Sequence, residues 1–321
     1  MRRPTILGYD GGPLTYYPNR PQESTLKTVD ALHGYWIKTI APPNVPPEEL
    51  QGEEHVAVWR LAGKGLPEDR PLSLAAGWNL VGYLPRQPLT VTAALQGIAG
   101  QYGAVLGFER TALSYYPDLD ASYNTLVRMA PGYGYWIKAG EALTLSYPVS
   151  ALTATMPFTP SLAVQGRQLQ IRRAEWEAGV QPTYEWMNFY GKLALPDGTG
   201  VPTGTTVLAV DPQGVICGST ATWEVGQYGL LGCYRDDPDT AADEGAVPGD
   251  TIRLVVAEGS PPQPGSWVIG EGTWTAHGAR QQVPGGPSLE LPHRSYLPLL
   301  LRESSMPVEG TEAVPEPTTG P

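Results

Sequence analysis

Gly34-Tyr35-Trp36-Ile37-Lys38 returns later in the chain as Gly134-Tyr135-Trp136-Ile137-Lys138. The identity spreads outward from this pentapeptide. Ile6-Leu7-Gly8-Tyr9 corresponds to Val105-Leu106-Gly107-Phe108, and Leu14-Thr15-Tyr16-Tyr17-Pro18-Asn19 to Leu113-Ser114-Tyr115-Tyr116-Pro117-Asp118. Thr25-Leu26 corresponds to Thr125-Leu126. The offset is 99 at first and 100 later, so one residue was inserted and the chain carries two copies of one module.

The copies are unequal. The second has a front half that opens on Gly77-Trp78-Asn79-Leu80-Val81-Gly82. Residues 78–84 read as a strand ended by Pro85. Over 90–101, Val91, Ala94, Leu95 and Ile98 show the i, i+3, i+4, i+7 spacing of a short amphipathic helix, with Gly100 placed to stop it. Strands follow over 104–108 and 113–116, joined by a turn at Glu109-Arg110-Thr111. Another runs over 135–138 behind the turn Pro131-Gly132-Tyr133-Gly134, and 143–147 closes the unit. The first copy has no room for the front half, so residue 1 falls in mid-module. That is expected of a chain whose start lies inside a repeat. The absence of a signal peptide then carries little weight.

This stretch resembles a module of bacterial secreted and cell-surface proteins, marked by GWNL near its start and GYWI near its end. Here those are Gly77-Trp78-Asn79-Leu80 and Gly134-Tyr135-Trp136-Ile137. The resemblance covers 72–148 in full and 5–42 in part. It implies an extracellular or cell-surface multidomain protein and carries no catalytic residues. The aromatics in these strands are expected to be core. Tyr16-Tyr17 and Tyr115-Tyr116 are adjacent pairs, so one ring of each faces outward if they lie in strands, which makes them the candidates for stacking on a ligand.

After Pro148 a Pro- and Thr-marked stretch reads as a linker, and from 162 to 278 short strands alternate with Gly/Pro turns. Strands are expected near 169–171, 184–190, 206–210, 215–223, 228–234, 251–256 and 267–274, the pattern of a β-sandwich. Residues 205–234 are similar to the Ig-like, carboxypeptidase-regulatory-like sandwich modules of bacterial surface proteins, through Asp211, Gly214, Gly226 and Tyr228. The two cysteines lie here. A tight turn at Glu224-Val225-Gly226 makes pairing symmetric about Val225 and sets Cys217 opposite Cys233. With the surface-protein resemblance, this favours a disulfide over two buried thiols.

The loop 236–250 holds Asp236, Asp237, Asp239, Asp243, Glu244 and Asp250 and no base. It is either a solvated acidic loop or a calcium site of hard oxygen ligands, without the EF-hand spacing. No other cofactor or metal is expected. His33, His55, His277 and His293 are isolated, and no HExxH, GxSxG, P-loop or dinucleotide fingerprint occurs.

Composition agrees with this picture. Glycine (38) and proline (34) are abundant in the 321 residues, which suits many short strands and turns. A formal net charge of −11 leaves no basic groove for nucleic acid. No apolar run is long enough to span a membrane. The expected fold is mainly β. It comprises a partial module (1–42), a lead-in (43–71), a complete module with a short helix (72–148), a linker (149–161), an Ig-like sandwich (162–278), a Gly/Pro-rich segment with a Tyr296-Leu297-Pro298-Leu299 strand (279–302) and a disordered acidic tail (303–321). The expected function is non-catalytic: adhesion, scaffolding or surface display, towards an extracellular polymer or protein. The alternatives are a carbohydrate-binding protein and the C-terminal accessory region of a larger secreted hydrolase.

Overall fold

Residues 5–38, 65–149, 162–195 and 197–285 are described by the computed structural model. The linker core, the 296–299 strand, the acidic tail, His55 and His293 lie outside them. The fold is mainly β, in several small sheets.

In the first copy, β1 (Thr5–Tyr9), β2 (Pro13–Tyr16) and β3 (Trp36–Lys38) form a sheet in the order β2-β1-β3. The second copy has β4 (Leu72–Leu74), β5 (Gly77–Gly82), β6 (Leu89–Thr90), α1 (Val91–Ala94), β7 (Tyr102–Phe108), β8 (Ala112–Tyr115), β9 (Arg128–Met129), β10 (Gly134–Ala139) and β11 (Leu143–Leu145). Its main sheet, β5-β10-β7-β8, repeats the first with one strand added.

The repeat is built from the same bonds twice. Thr15 N–H donates to Thr25 Oγ1 at 2.8 Å, and Ser114 N–H to Thr125 Oγ1 at 2.9 Å. Leu26 N–H donates to Thr15 O, and Leu126 N–H to Ser114 O. The motif tyrosines lie against bare glycine backbone: a Cβ on Gly8 would sit 3.3 Å from the Tyr35 ring, and one on Gly107 3.0 Å from Tyr135.

The expected helix forms as one α turn capped by Thr90, whose Oγ1 accepts from Ala93 N–H, and continues as a 3-10 turn over Gln96–Ile98. Val91, Ala94, Leu95 and Ile98 are all buried, and Gly100 takes the left-handed conformation (φ +77°) that ends it. This helix covers one face of β10. Tyr135, Ile137 and Ala139 point into that core, while Trp136, on the opposite pleat, points away from it. In the first copy nothing equivalent to α1 is present among the described residues. Ile37 is 44% exposed, whereas Ile137 is fully buried.

The two copies meet through equivalent residues. Tyr9 lies edge-on to Trp136 with ring centroids 5.0 Å apart, and Phe108, the counterpart of Tyr9, lies 4.3 Å from Trp36. Such reciprocal contacts define an isologous, pseudo-twofold pairing. Gly34 and Gly134 face each other within it: a Cβ on Gly134 would come 2.6 Å from Gly34 Cα. Beside them Gly34 N–H donates to Leu80 O at 3.1 Å, and Gly82 N–H to Leu32 O at 2.9 Å.

The C-terminal part opens with α2 (Leu162–Glu177), where a strand was expected at 169–171. Apolar-polar alternation over three residues is too short to set a period. Arg167, Ile171, Ala174, Glu175 and Ala178, at helical spacing, are the positions turned inward. Then follow β12 (Trp186–Lys192), β13 (Thr206–Val210), β14 (Ile216–Ala221), β15 (Gln227–Tyr234), β16 (Thr251–Glu258), β17 (Gln263–Thr273) and β18 (Arg280–Gln282). They form two sheets, β15-β12-β18 and β14-β13-β16-β17, enclosing Phe189, Val207, Tyr228, Leu231, Leu254 and Trp274. Cys217 and Cys233 are disulfide-bonded, with Cα atoms 4.7 Å apart. The expected cross-strand geometry needs correction: β14 and β15 lie in different sheets, so the bridge ties sheet to sheet. The symmetry about Val225 survives as a close approach, since a Cβ on Gly218 would strike Gly232 O.

A third apolar cluster joins the parts. Ala104, Leu106 and Tyr116 of the second copy pack with Trp186, Leu208, Leu230 and Tyr234, and Trp36, Trp78 and Trp136 lie against them.

Candidate functional site

The β7–β8 hairpin turns through Glu109, Arg110 and Thr111, with Glu109 N–H donating to Thr111 O. Arg110 has φ 69°, the one non-glycine residue with positive φ among those described. A side chain there is sterically disfavoured. The first copy makes the same turn with Asp10, Gly11 and Gly12; Asp10 N–H donates to Gly12 O, and Gly11 has φ 66°. Glycine takes this conformation without strain.

Around the second turn lies a cavity of about 470 Å³ lined by Phe108, Glu109, Arg110, Tyr133 and Arg172. Three elements build it: the hairpin, the Pro131–Gly134 turn that presents Tyr133 41% exposed, and α2, which brings Arg172. Glu109 is buried, and its Oε2 lies 3.7 Å from Arg128 Nη2. Its Oε1 has no hydrogen-bond partner, nor has Arg172 Nε. Burial pulls the Arg172 guanidinium below its usual range, with Glu109 opposing that shift.

One turn along α2, Glu175 is buried and accepts from Tyr234 Oη at 3.2 Å, while Ala112 N–H donates to the same Oη at 2.8 Å. Burial pushes the Glu175 carboxyl up to about 8 against the hydrogen bond from Tyr234, so at neutral pH it is mostly the uncharged acid.

The chain matches no protein-family model, no curated protein and no solved structure.

The stacking candidates are placed differently from one another. Tyr116 is buried; its hydroxyl donates to Gly278 O at 3.1 Å and accepts from Asn188 Nδ2, and Arg280 covers its ring. Tyr115 packs half-buried against the core of the second copy. Tyr16 and Tyr17 are half-buried, and Tyr17 Oη donates to Asp239 Oδ2 at 3.5 Å. No pair of these rings forms an open platform.

The acidic loop does not gather its carboxyls around one point. Asp236 accepts from Glu244 N–H, Asp237 from Asp239 N–H, Asp243 from Gly245 N–H and Asp250 from Val247 N–H, while Glu244 accepts from Thr240 Oγ1. Asp237 is also ion-paired with Lys38. Among the described residues no group of three or more such side chains is arranged to hold a metal. The loop fastens the first copy to the sandwich through Lys38 and Tyr17.

His277, isolated in the sequence, sits among Trp78, Trp136 and Trp186 at centroid distances of 5.3, 5.2 and 5.2 Å. Its Nδ1 accepts from Trp186 N–H, which leaves the proton on Nε2, and Nε2 is buried without a partner. Burial drives its pKa down to about 3, so it is a neutral packing element of the junction.

The cavity was not read from the sequence, because Arg172 joins Glu109 only through the fold. The available signal was the contrast between Asp10-Gly11-Gly12 and Glu109-Arg110-Thr111 in two otherwise matched hairpins.

Proposed function

We propose that this is a non-catalytic extracellular modular protein that acts in adhesion, scaffolding or surface display. The observation that carries this is where the repeated motif residues go. Tyr35 and Tyr135 lie on glycines of their own sheets, Trp36 and Trp136 join copy to copy and copy to sandwich, and Gly34 meets Gly134. Residues that recur in both copies are thus used for packing, as in a module whose work is to hold a shape. The buried disulfide fits an oxidising, extracellular-type compartment. No helix among the described residues is long and apolar enough to cross a membrane.

The test is to offer the purified full chain a panel of immobilised extracellular glycans and proteins alongside soluble glycosidase and peptidase substrates. Retention on a polymer without turnover is expected. Turnover that disappears in Glu109→Gln or Glu175→Gln would overturn the reading.

A further inference from the structure

We propose that Asp10, in the hairpin turn of the first copy, is a modification site that converts to isoaspartate through a succinimide formed with the backbone nitrogen of Gly11. The proposal goes beyond the non-catalytic reading and does not depend on it.

The reaction needs only the chain and water. The Gly11 amide nitrogen gives up its proton and attacks Asp10 Cγ. The carboxyl loses one oxygen as water, and a five-membered ring closes. Water then reopens the ring at either carbonyl. Opening at Cγ restores aspartate. Opening at the main-chain carbonyl leaves the chain running through Cβ and Cγ, with the α-carboxylate as the side group. One water leaves and one returns, and nothing is oxidised or reduced. The carboxyl and the following N–H must therefore both be free, and the residue after the aspartate must leave room for the ring, which glycine does.

Asp-Gly occurs twice in the sequence, at Asp10-Gly11 and at Asp197-Gly198. The fold treats the two differently. Asp10 and Gly11 are both exposed, and even a Cβ on Gly11 would meet nothing within 4 Å. Nothing donates to the Asp10 carboxylate, and the Gly11 N–H has no acceptor; the turn is closed instead by Asp10 N–H on Gly12 O at 3.1 Å. At the other site both reacting groups are tied. Asp197 Oδ1 accepts from Thr199 N–H at 2.9 Å and from Thr199 Oγ1 at 2.7 Å, and Gly198 N–H donates to Leu195 O at 2.8 Å. The Thr199 bonds also hold the Asp197 carboxyl below its usual range, away from the neutral form that sheds water readily. The second copy offers no equivalent site: its turn has Glu109, which is buried, would close a larger ring and is followed by Arg110. The modification therefore falls on one copy, beside the seam between the two, since the preceding residue, Tyr9, lies edge-on to Trp136.

The test is to hold the purified full chain warm at mildly acid pH and follow isoaspartate at each site by peptide mapping. Electron-transfer fragmentation identifies it, because it cleaves the extra Cα–Cβ bond of the main chain. Isoaspartate at residue 10 is expected to accumulate at least about tenfold faster than at residue 197, which must first open its hydrogen bonds. In guanidinium chloride those bonds are gone, so the difference should disappear. No isoaspartate at residue 10 in the folded chain, equal rates at the two sites, or a difference that persists unchanged in denaturant overturns the proposal. The non-catalytic reading stands or falls separately, on retention and turnover.

Discussion

Gly134→Ala should loosen the contact between the two copies. The added Cβ would lie 2.6 Å from Gly34 Cα and 3.4 Å from Gly34 C and Tyr35 N, all backbone atoms. Carbon atoms in good contact stand about 3.5–4.0 Å apart, so the backbones must separate by roughly 1 Å. They cannot do so freely, because Gly34 N–H is bonded to Leu80 O and Gly82 N–H to Leu32 O. Overpacking of this kind costs about 1–3 kcal/mol, which in a body of this size lowers Tm by roughly 2–4 °C per kcal/mol. Gly103→Ala is the control, since a Cβ there meets nothing within 4 Å; its effect should stay within about 0.5 kcal/mol. Urea unfolding measures the loss, and native-state hydrogen exchange localises it. The amides of Gly34 and Gly82 should lose protection in Gly134→Ala while those inside β7 and β8 keep theirs. If Gly134→Ala melts with the parent and both amides stay protected, the close glycine contact is not what seats one copy on the other.

Three further outcomes follow from the same structure. Replacing both Cys217 and Cys233 by alanine frees a loop of sequence separation 16; the chain-entropy relation gives a loss of about 3 kcal/mol, read as a lower urea midpoint, and an unchanged midpoint would refute it. Stability should peak between roughly pH 4.5 and 6.5: Glu175, raised to about 8, takes up a proton on folding and loses its stabilisation as pH rises through that value, whereas His277, lowered to about 3, releases one and loses its stabilisation as pH falls below 6.5. Glu175→Gln should flatten the alkaline arm of urea midpoints taken across pH, and an unchanged arm would assign it to other groups. Arg110→Gly relieves left-handed strain of about 1–2 kcal/mol, adds about 0.4–1 kcal/mol of unfolded-state entropy and removes the side chain's own interactions, so its stability from urea unfolding should stay within about 1 kcal/mol of the parent; a loss beyond about 2 kcal/mol would mean that the Arg110 side chain holds the hairpin itself.

The parts of the fold visible in the sequence are those set by local chemistry. The repeat could be read because residues that sit on glycine backbone or close a hairpin tolerate few replacements, so Gly8, Tyr35 and Thr25 persist as Gly107, Tyr135 and Thr125. The helix behind Thr90 was legible from four apolar positions and a stop glycine. The strand at 206–210 was legible because Val207, Leu208, Ala209 and Val210 are buried on both faces. Symmetry about Val225 found the cysteine pair but not its setting, because sequence spacing cannot tell whether two strands share a ladder or lie in facing sheets. α2 was missed where side-chain alternation over three residues outweighed the inward turn of residues four apart. The tyrosine pairs illustrate another limit: alternation says that neighbours face opposite ways, but not that Tyr116 faces the sandwich.

The cavity depends on the inequality of the copies. A pseudo-twofold pair gives each hairpin turn an equivalent start, and in the first copy that turn remains Asp10-Gly11-Gly12, with Asp10 and Gly11 exposed. In the second copy β5 and α1 complete the module, and α2 lies beside its hairpin, so the equivalent acidic residue, Glu109, becomes buried. A buried carboxyl needs partners, and Arg128 and Arg172 stand near it from two other elements. Their combined charge exceeds what Glu109 can balance, and Glu175, held mostly as the uncharged acid by burial, does not make up the difference at neutral pH.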